Sequence, residues 1–393
     1  MLSLAAVAWL ACAALLLRTA VPSGLELPDV SASAVFGPHL VAEAKRVERF
    51  FLVTWVLEQV ALLATLWIYA RRGVVYVRES AAGPIGTGML LGMLGLGILW
   101  LVQLPFGLAD LWWARRHDLS EMGYAEWAFG HWFELGGTFT AISVALVVVM
   151  FLARLVGEWW WIPGAAAFVG IAAAFAFVQP YLLPSTEPLR DPELQGVVDA
   201  YEREQGISGV PVSVEDVSGT TSQANAYAVG FGPSRKVVLW STMVDGSFSN
   251  GAVRVVIAHE LGHHSSHHIP KAIGWFALLT LPGAWILMRV TRRRGGMGTA
   301  ESVPLALLAV AVLQLALSPA ENWVSRRMEA EADWKALQTT ANPTAAHDLF
   351  VGFARTSLAD PDPPAWAHVL LDTHPTLAQR VAMVDAWAAT AQR

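Results

Sequence analysis

The chain has 393 residues, a net charge of -6 at pH 7, 55% hydrophobic and 15% charged residues, and a mean hydropathy of +0.46. So little charge cannot cover a soluble domain of this size, which excludes a soluble globule and points to a membrane. The mild acidity and the lack of a basic tail exclude a nucleic-acid partner, and a single cysteine, Cys12, excludes an intrachain disulfide or a cysteine-ligated metal.

Seven stretches are long and apolar enough to cross a bilayer, which takes roughly 20 helical residues. The first runs from Met1 to Leu17; without a basic start or a small-residue cleavage site, it reads as a retained span rather than a signal peptide. The second lies between Phe50 and Ala70, and the third between Pro84 and Leu104, where Gly88 and Gly92 are spaced for close helix contact. Leu135–Leu155 and Ile162–Leu183 are the fourth and fifth, with Trp159, Trp160 and Trp161 between them as an interfacial belt. Glu58 and Gln103 sit inside spans, where a polar group needs a partner from another helix or a wet cavity.

At Pro184 the chain turns polar, with Pro- and Gly-rich turns and short alternating runs. Gly209–Glu215, Asn225–Gly230 and Arg235–Trp240 read as strands of a small sheet. Apolar character returns at Ile273–Val290 and Pro304–Leu317 as spans six and seven, and the tail from Glu321 to Arg393 is helical in pattern. The expected organisation is a spanning region over 1–183, the sheet and a polar helix over 184–270, two spans over 271–320 and a helical part over 321–393.

The segment that carries chemistry is Val255-Val-Ile-Ala-His259-Glu260-Leu-Gly-His263. Histidines at i and i+4 project from one helical face, so both imidazoles can reach one metal, with Glu260 placed to act as general base on its water. Zinc accepts nitrogen and oxygen ligands and needs no redox chemistry. Glu329, in the Ala-rich segment Ser325–Asp333, is the candidate third ligand. Asp333 lies one turn further on the same face, where it would accept the other N–H of a ligand histidine, while Glu331 points elsewhere. Read blandly, the segment is a solvated acidic helix paired with Arg326 and Arg327. His264, His267 and His268 read as solvated or supporting rather than ligating.

His259-Glu-Leu-Gly-His263 with Ser325-Arg-x-x-Glu329-x-x-Ala-Asp333 resembles the integral-membrane zinc endopeptidases of the CAAX prenyl protease type I family. Asn225-Ala-Tyr-x-x-Gly230 and His374-Pro-x-Leu-x-x-Arg380 extend the resemblance. It implies a mainly α, polytopic membrane helical bundle of about seven spans carrying a small α/β metalloprotease domain with a gluzincin-type site. It further implies one Zn2+ per chain on His259, His263 and Glu329, with Glu260 as base and peptide-bond hydrolysis by zinc-activated water. Asn225 and His374 would assist catalysis at the substrate carbonyl, and Ala226, Tyr227, Gly230 and Arg380 would bind substrate. The implied partners are a peptide or protein, lipidated at its C-terminus in that family, and the bilayer. The active site would face the cytoplasm, in a bacterial cell membrane or a eukaryotic endoplasmic reticulum. Three rivals stand beside this reading: a quality-control membrane protease with no prenyl requirement, a transporter with Glu58 and the histidines on an ion path, and a silent scaffold.

Overall fold

The structure, a computed structural model, describes residues 2–73, 82–183 and 186–391. Met1 and Pro184, where two expected boundaries fall, lie outside them. In chain order the first half is α1 (Leu2–Leu16), α2 (Ala32–Phe36), α3 (Pro38–Arg72), α4 (Gly83–Arg116), α5 (Tyr124–Val156) and α6 (Trp161–Leu182). The polar middle holds β1 (Thr186–Pro188), α7 (Pro192–Glu204), β2 (Val212–Glu215), β3 (Ala226–Val229), β4 (Lys236–Trp240), α8 (Ser241–Val244) and α9 (Asn250–Ser265). The remainder is helical: α10 (His268–Thr291), α11 (Val303–Thr340), α12 (Pro343–Ser357), α13 (Ala365–Leu371) and α14 (Leu377–Ala391).

The seven apolar stretches form helices, in line with a bundle of about seven spans. Five continuous helical stretches among the described residues are long and apolar enough to cross a membrane: Pro38–Arg72, Gly83–Arg116, Tyr124–Leu182, His268–Arg294 and Ala300–Thr340. The third, of 59 residues, contains both α5 and α6, which meet at a 3-10 turn over Gly157–Trp160. α1 is shorter, with 15 described residues. Outward-facing Phe133 and Leu155 are 77% and 67% exposed, a surface suited to lipid. The tryptophan run splits: Trp159 is 66% exposed, whereas Trp160 is buried in the helical core.

Gly88 and Gly92 let α4 and α5 touch. A Cβ at Gly88 would stand 2.4 Å from Met150 Sδ, and one at Gly92 2.5 Å from Leu146 Cδ1. Gln103 Nε2 donates to Glu58 Oε1 at 2.8 Å, so these two polar residues satisfy each other across α4 and α3.

The sheet runs in the order β1-β2-β4-β3. β2 and β4 are parallel, while β1 and β3 pair antiparallel with them. β3 is therefore an edge strand. α9 lies under the sheet and against α11 and α12, wrapped by Val237, Leu239, Leu349, Phe350 and Val381. Burial of nearly every side chain from Val255 to Gly262 makes it the central helix of the polar half.

Candidate active site

α9 begins where the Ser249 side chain accepts the Ala252 N–H at 3.2 Å, an N-cap that satisfies one otherwise orphaned donor. Two turns on, His259 and His263 face α11, and between them Gly262 abuts Ala332. α11 runs unbroken for 38 residues from the apolar bundle into this contact and brings Glu329 and Asp333 with it.

His259, His263 and Glu329 offer ligand atoms that all lie within 4.8 Å of one another. His259 Nε2 is 3.2 Å from Glu329 Oε2, His263 Nε2 is 3.5 Å from Glu329 Oε1, and the two Nε2 atoms are 3.1 Å apart. On its far side His259 Nδ1 lies 2.9 Å from Asp333 Oδ1, and a neutral His259 that donates there presents a bare Nε2 lone pair. Glu329 Oε2 is buried and, despite its near neighbours, makes no hydrogen bond of acceptable angle. Two imidazole nitrogens and an orphaned carboxylate oxygen converging on one point fit a divalent cation such as zinc.

Glu260 is 6% exposed, and burial raises its carboxyl pKa to about 7 against the opposing pull of His259. Arg380, expected to bind substrate, lines the cavity next to the cleft that Asn225 and His374 also line. It is 8% exposed and spends Nε and Nη2 on Asp333 at 2.8 and 2.6 Å, with its guanidinium 4.3 Å from the Phe350 ring centroid. It holds Asp333, which holds His259, and does not line the cleft over the ligands.

That cleft, of about 370 Å³, is bounded by Asn225, Tyr227, Glu260, Ser325, Met328 and His374 around the two histidines and Glu329. Asn225 stands at the head of β3, where its carbonyl accepts the Trp240 N–H at 2.9 Å. Ala226 also lines the cleft. The Tyr227 hydroxyl donates to Glu215 at 2.8 Å, and burial, then Glu215, raises its pKa. Gly230 lies beyond the lining; at φ 74°, a Cβ there would sit 2.1 Å from the Ser234 carbonyl oxygen, so it serves the turn. His374 precedes α14, which starts with a reciprocal Thr376–Gln379 capping box. Its Nε2 lies 3.1 Å from Glu329 Oε2, and the side chain is 55% exposed. Arg326 donates to the His368 and Asp372 carbonyls at 2.8 and 2.6 Å and so holds the segment that presents His374.

Three further residues stand behind the ligands. Buried His268 and Glu331, with half-buried Lys271, form a cluster against His263. The sequence offered one signal for it: a charged Glu331 in an Ala-rich helical run, which needs a partner once that helix is buried.

The chain matches the model of peptidase family M48 over residues 188–388. Metalloprotease YhfN of Bacillus subtilis is 26% identical over 295 residues, covering 72% of this chain and 69% of its own length. A CAAX prenyl protease 1 homolog of Oryza sativa is 26% identical over 181 residues, 44% of this chain and 42% of the relative. The crystal structure of S. mikatae Ste24p superposes with a TM-score of 0.72 over 94% of this chain and 92% of that one, at 18% identity, a likeness of fold. Fold and site together define a multi-helix membrane metalloprotease. The chain belongs to peptidase family M48.

Proposed function

We propose that this metalloprotease is a zinc endopeptidase in which His259, His263 and Glu329 hold one Zn2+ per chain and Glu260 is the general base. The observation that carries the reading is the convergence of three ligand atoms within 4.8 Å at the floor of a cleft that Glu260 also lines. When bound, zinc supplies Lewis acidity, polarising a carbonyl and lowering the pKa of water to about 7. Glu260, lining the cleft beside the proposed ligands, accepts the proton of the attacking water and passes it to the leaving amine. His374, whose Nδ1 meets the Thr373 hydroxyl at 3.0 Å, turns Nε2 toward the reacting centre. There it and Asn225 would donate to the carbonyl oxygen as negative charge develops. The free edge of β3 offers backbone groups on which an extended peptide can pair.

The substrate class we infer is a peptide lipidated at its C-terminus. An apolar cavity of about 430 Å³ lies among α5, α6, α10 and α11, with Leu146, Phe168, Leu287 and Leu307 in its wall and Glu321 at one end. Glu321 is one helical turn from Ser325 of the cleft, so a lipid chain and its peptide could occupy the two spaces together. We place the cleft on the cytoplasmic side, testable by labelling cysteines introduced at its rim. Matched peptides with and without a prenylated C-terminal cysteine separate this substrate class from general membrane-protein clearance, which would cleave both equally.

The test of the mechanism is Glu260→Gln. Peptide cleavage should fall by ~10²–10⁴-fold with metal content unchanged, and undiminished cleavage would remove Glu260 from the role.

A further inference from the structure

Behind His263 a chain of hydrogen bonds leads away from the cleft to the end of the first helix. His267 adopts φ 56°, in the left-handed region, and this turn between α9 and α10 returns His268 against His263. Their Nδ1 atoms are 2.9 Å apart. His268 is 3% exposed, with Nε2 3.1 Å from Glu331 Oε2. Lys271 Nζ donates to the same oxygen at 3.2 Å, and Glu331 Oε1 accepts the backbone N–H of Ala20 at 2.9 Å. Lys271 also donates to the Arg18 carbonyl at 3.0 Å, and Arg327 to that of Leu17 at 3.2 Å. Side chains flanking the proposed ligands therefore grip the turn that follows α1 at three backbone positions.

Counting protons gives these bonds a direction. An ionised carboxylate only accepts, so His268 Nε2 carries the proton that it shares with Glu331. A neutral His268 then has a bare Nδ1, and the single hydrogen between the two Nδ1 atoms belongs to His263. His263 is held as its Nδ1–H tautomer, with the Nε2 lone pair turned toward Glu329 and His259.

We propose that His268 and Glu331 are positioning residues that, with the Leu17–Ala20 turn, form a strut setting the tautomer and direction of His263. The proposal rests on the reading of His259, His263 and Glu329 as metal ligands. α1 also meets α10 where Trp9 Nε1 donates to the Leu278 carbonyl at 3.0 Å and Leu16 packs beside Gly274. Docking of α1 and metal affinity are then linked, each strengthening the other.

The experiment measures Zn2+ dissociation constants of the full chain in detergent by competition with a chromogenic chelator. The proteins compared are the wild type, His268→Ala, His268→Gln, Glu331→Ala and Ala20→Pro. Both alanine variants at the strut should bind Zn2+ ~10–100-fold more weakly. Glutamine can accept from His263 and donate to Glu331, so His268→Gln should recover most of the affinity; it also guards against simple misfolding. Ala20→Pro removes one N–H donor and should produce a smaller loss of the same sign. In Co2+-loaded protein the visible bands should move in His268→Ala and return in His268→Gln. Unchanged affinity in His268→Ala and Glu331→Ala, or a glutamine variant as weak as the alanine, overturns the strut. A wild type that binds no Zn2+, or a Glu329→Ala variant that binds as tightly as wild type, overturns the ligand reading and the strut with it.

Discussion

The two walls of the cleft are built differently. On one side His259, Glu260 and Glu329, with Asp333 and Arg380 behind them, are all less than a tenth exposed, on helices that bury one another's polar groups. On the other, Asn225 is exposed at the end of an edge strand and His374 is 55% exposed on the segment leading into α14. The ligand wall is fixed by partners on several elements before any substrate arrives. The substrate wall has backbone and side-chain donors left over, and a bound peptide would complete it. On the proposed function, a rigid ligand wall would hold a metal in place while an open wall admits a peptide.

Substitutions on the two walls should therefore fail in different ways. The largest effect is expected from Asp333→Ala, which leaves Arg380 buried without its partner. Breaking a buried pair from one side costs ~3–5 kcal/mol, so thermal unfolding in detergent should shift markedly downward and zinc affinity should fall with it. An Asp333→Ala protein of wild-type stability would break the comparison. Next in size is His374→Ala, on the open wall. It should lower kcat by ~10²–10³-fold while leaving stability and metal content unchanged, as read from peptide kinetics and metal analysis. Loss of metal in that variant would place His374 among the ligands instead. The smallest effect is expected from Glu58→Leu, outside the lining of the cleft. Loss of its bond to Gln103 should cost only about 0.6 kcal/mol and leave cleavage intact. A large loss of activity there would revive the reading of Glu58 on an ion path.

What the sequence revealed follows from how far apart the interacting residues lie along the chain. His259 and His263 sit on one face because the helix repeat puts them there, so their shared direction could be read directly. The same repeat showed Glu329 and Asp333 together. The sheet was legible in its three alternating strands, but β1 was not: three residues, Thr186–Pro188, carry no period. The pairing of Arg380 with Asp333 was not legible because the two lie 47 residues apart on different helices. His268 and Glu331, 63 residues apart, meet only because His267 turns the chain back, and no periodicity encodes that turn. How many of the apolar helices cross separately was not legible, because hydropathy does not show that α5 and α6 meet directly at a 3-10 turn.

The central claim is that two histidines and one glutamate of this chain hold a catalytic zinc. The most direct test is the zinc content of protein purified without chelators, with the zinc X-ray absorption edge read on the same sample, for wild type and Glu329→Ala. The account predicts one zinc per wild-type chain in a sulfur-free shell of two imidazoles and a carboxylate, and little or none in Glu329→Ala. A wild type without stoichiometric zinc, or a Glu329→Ala variant with the same zinc and the same edge, would contradict it.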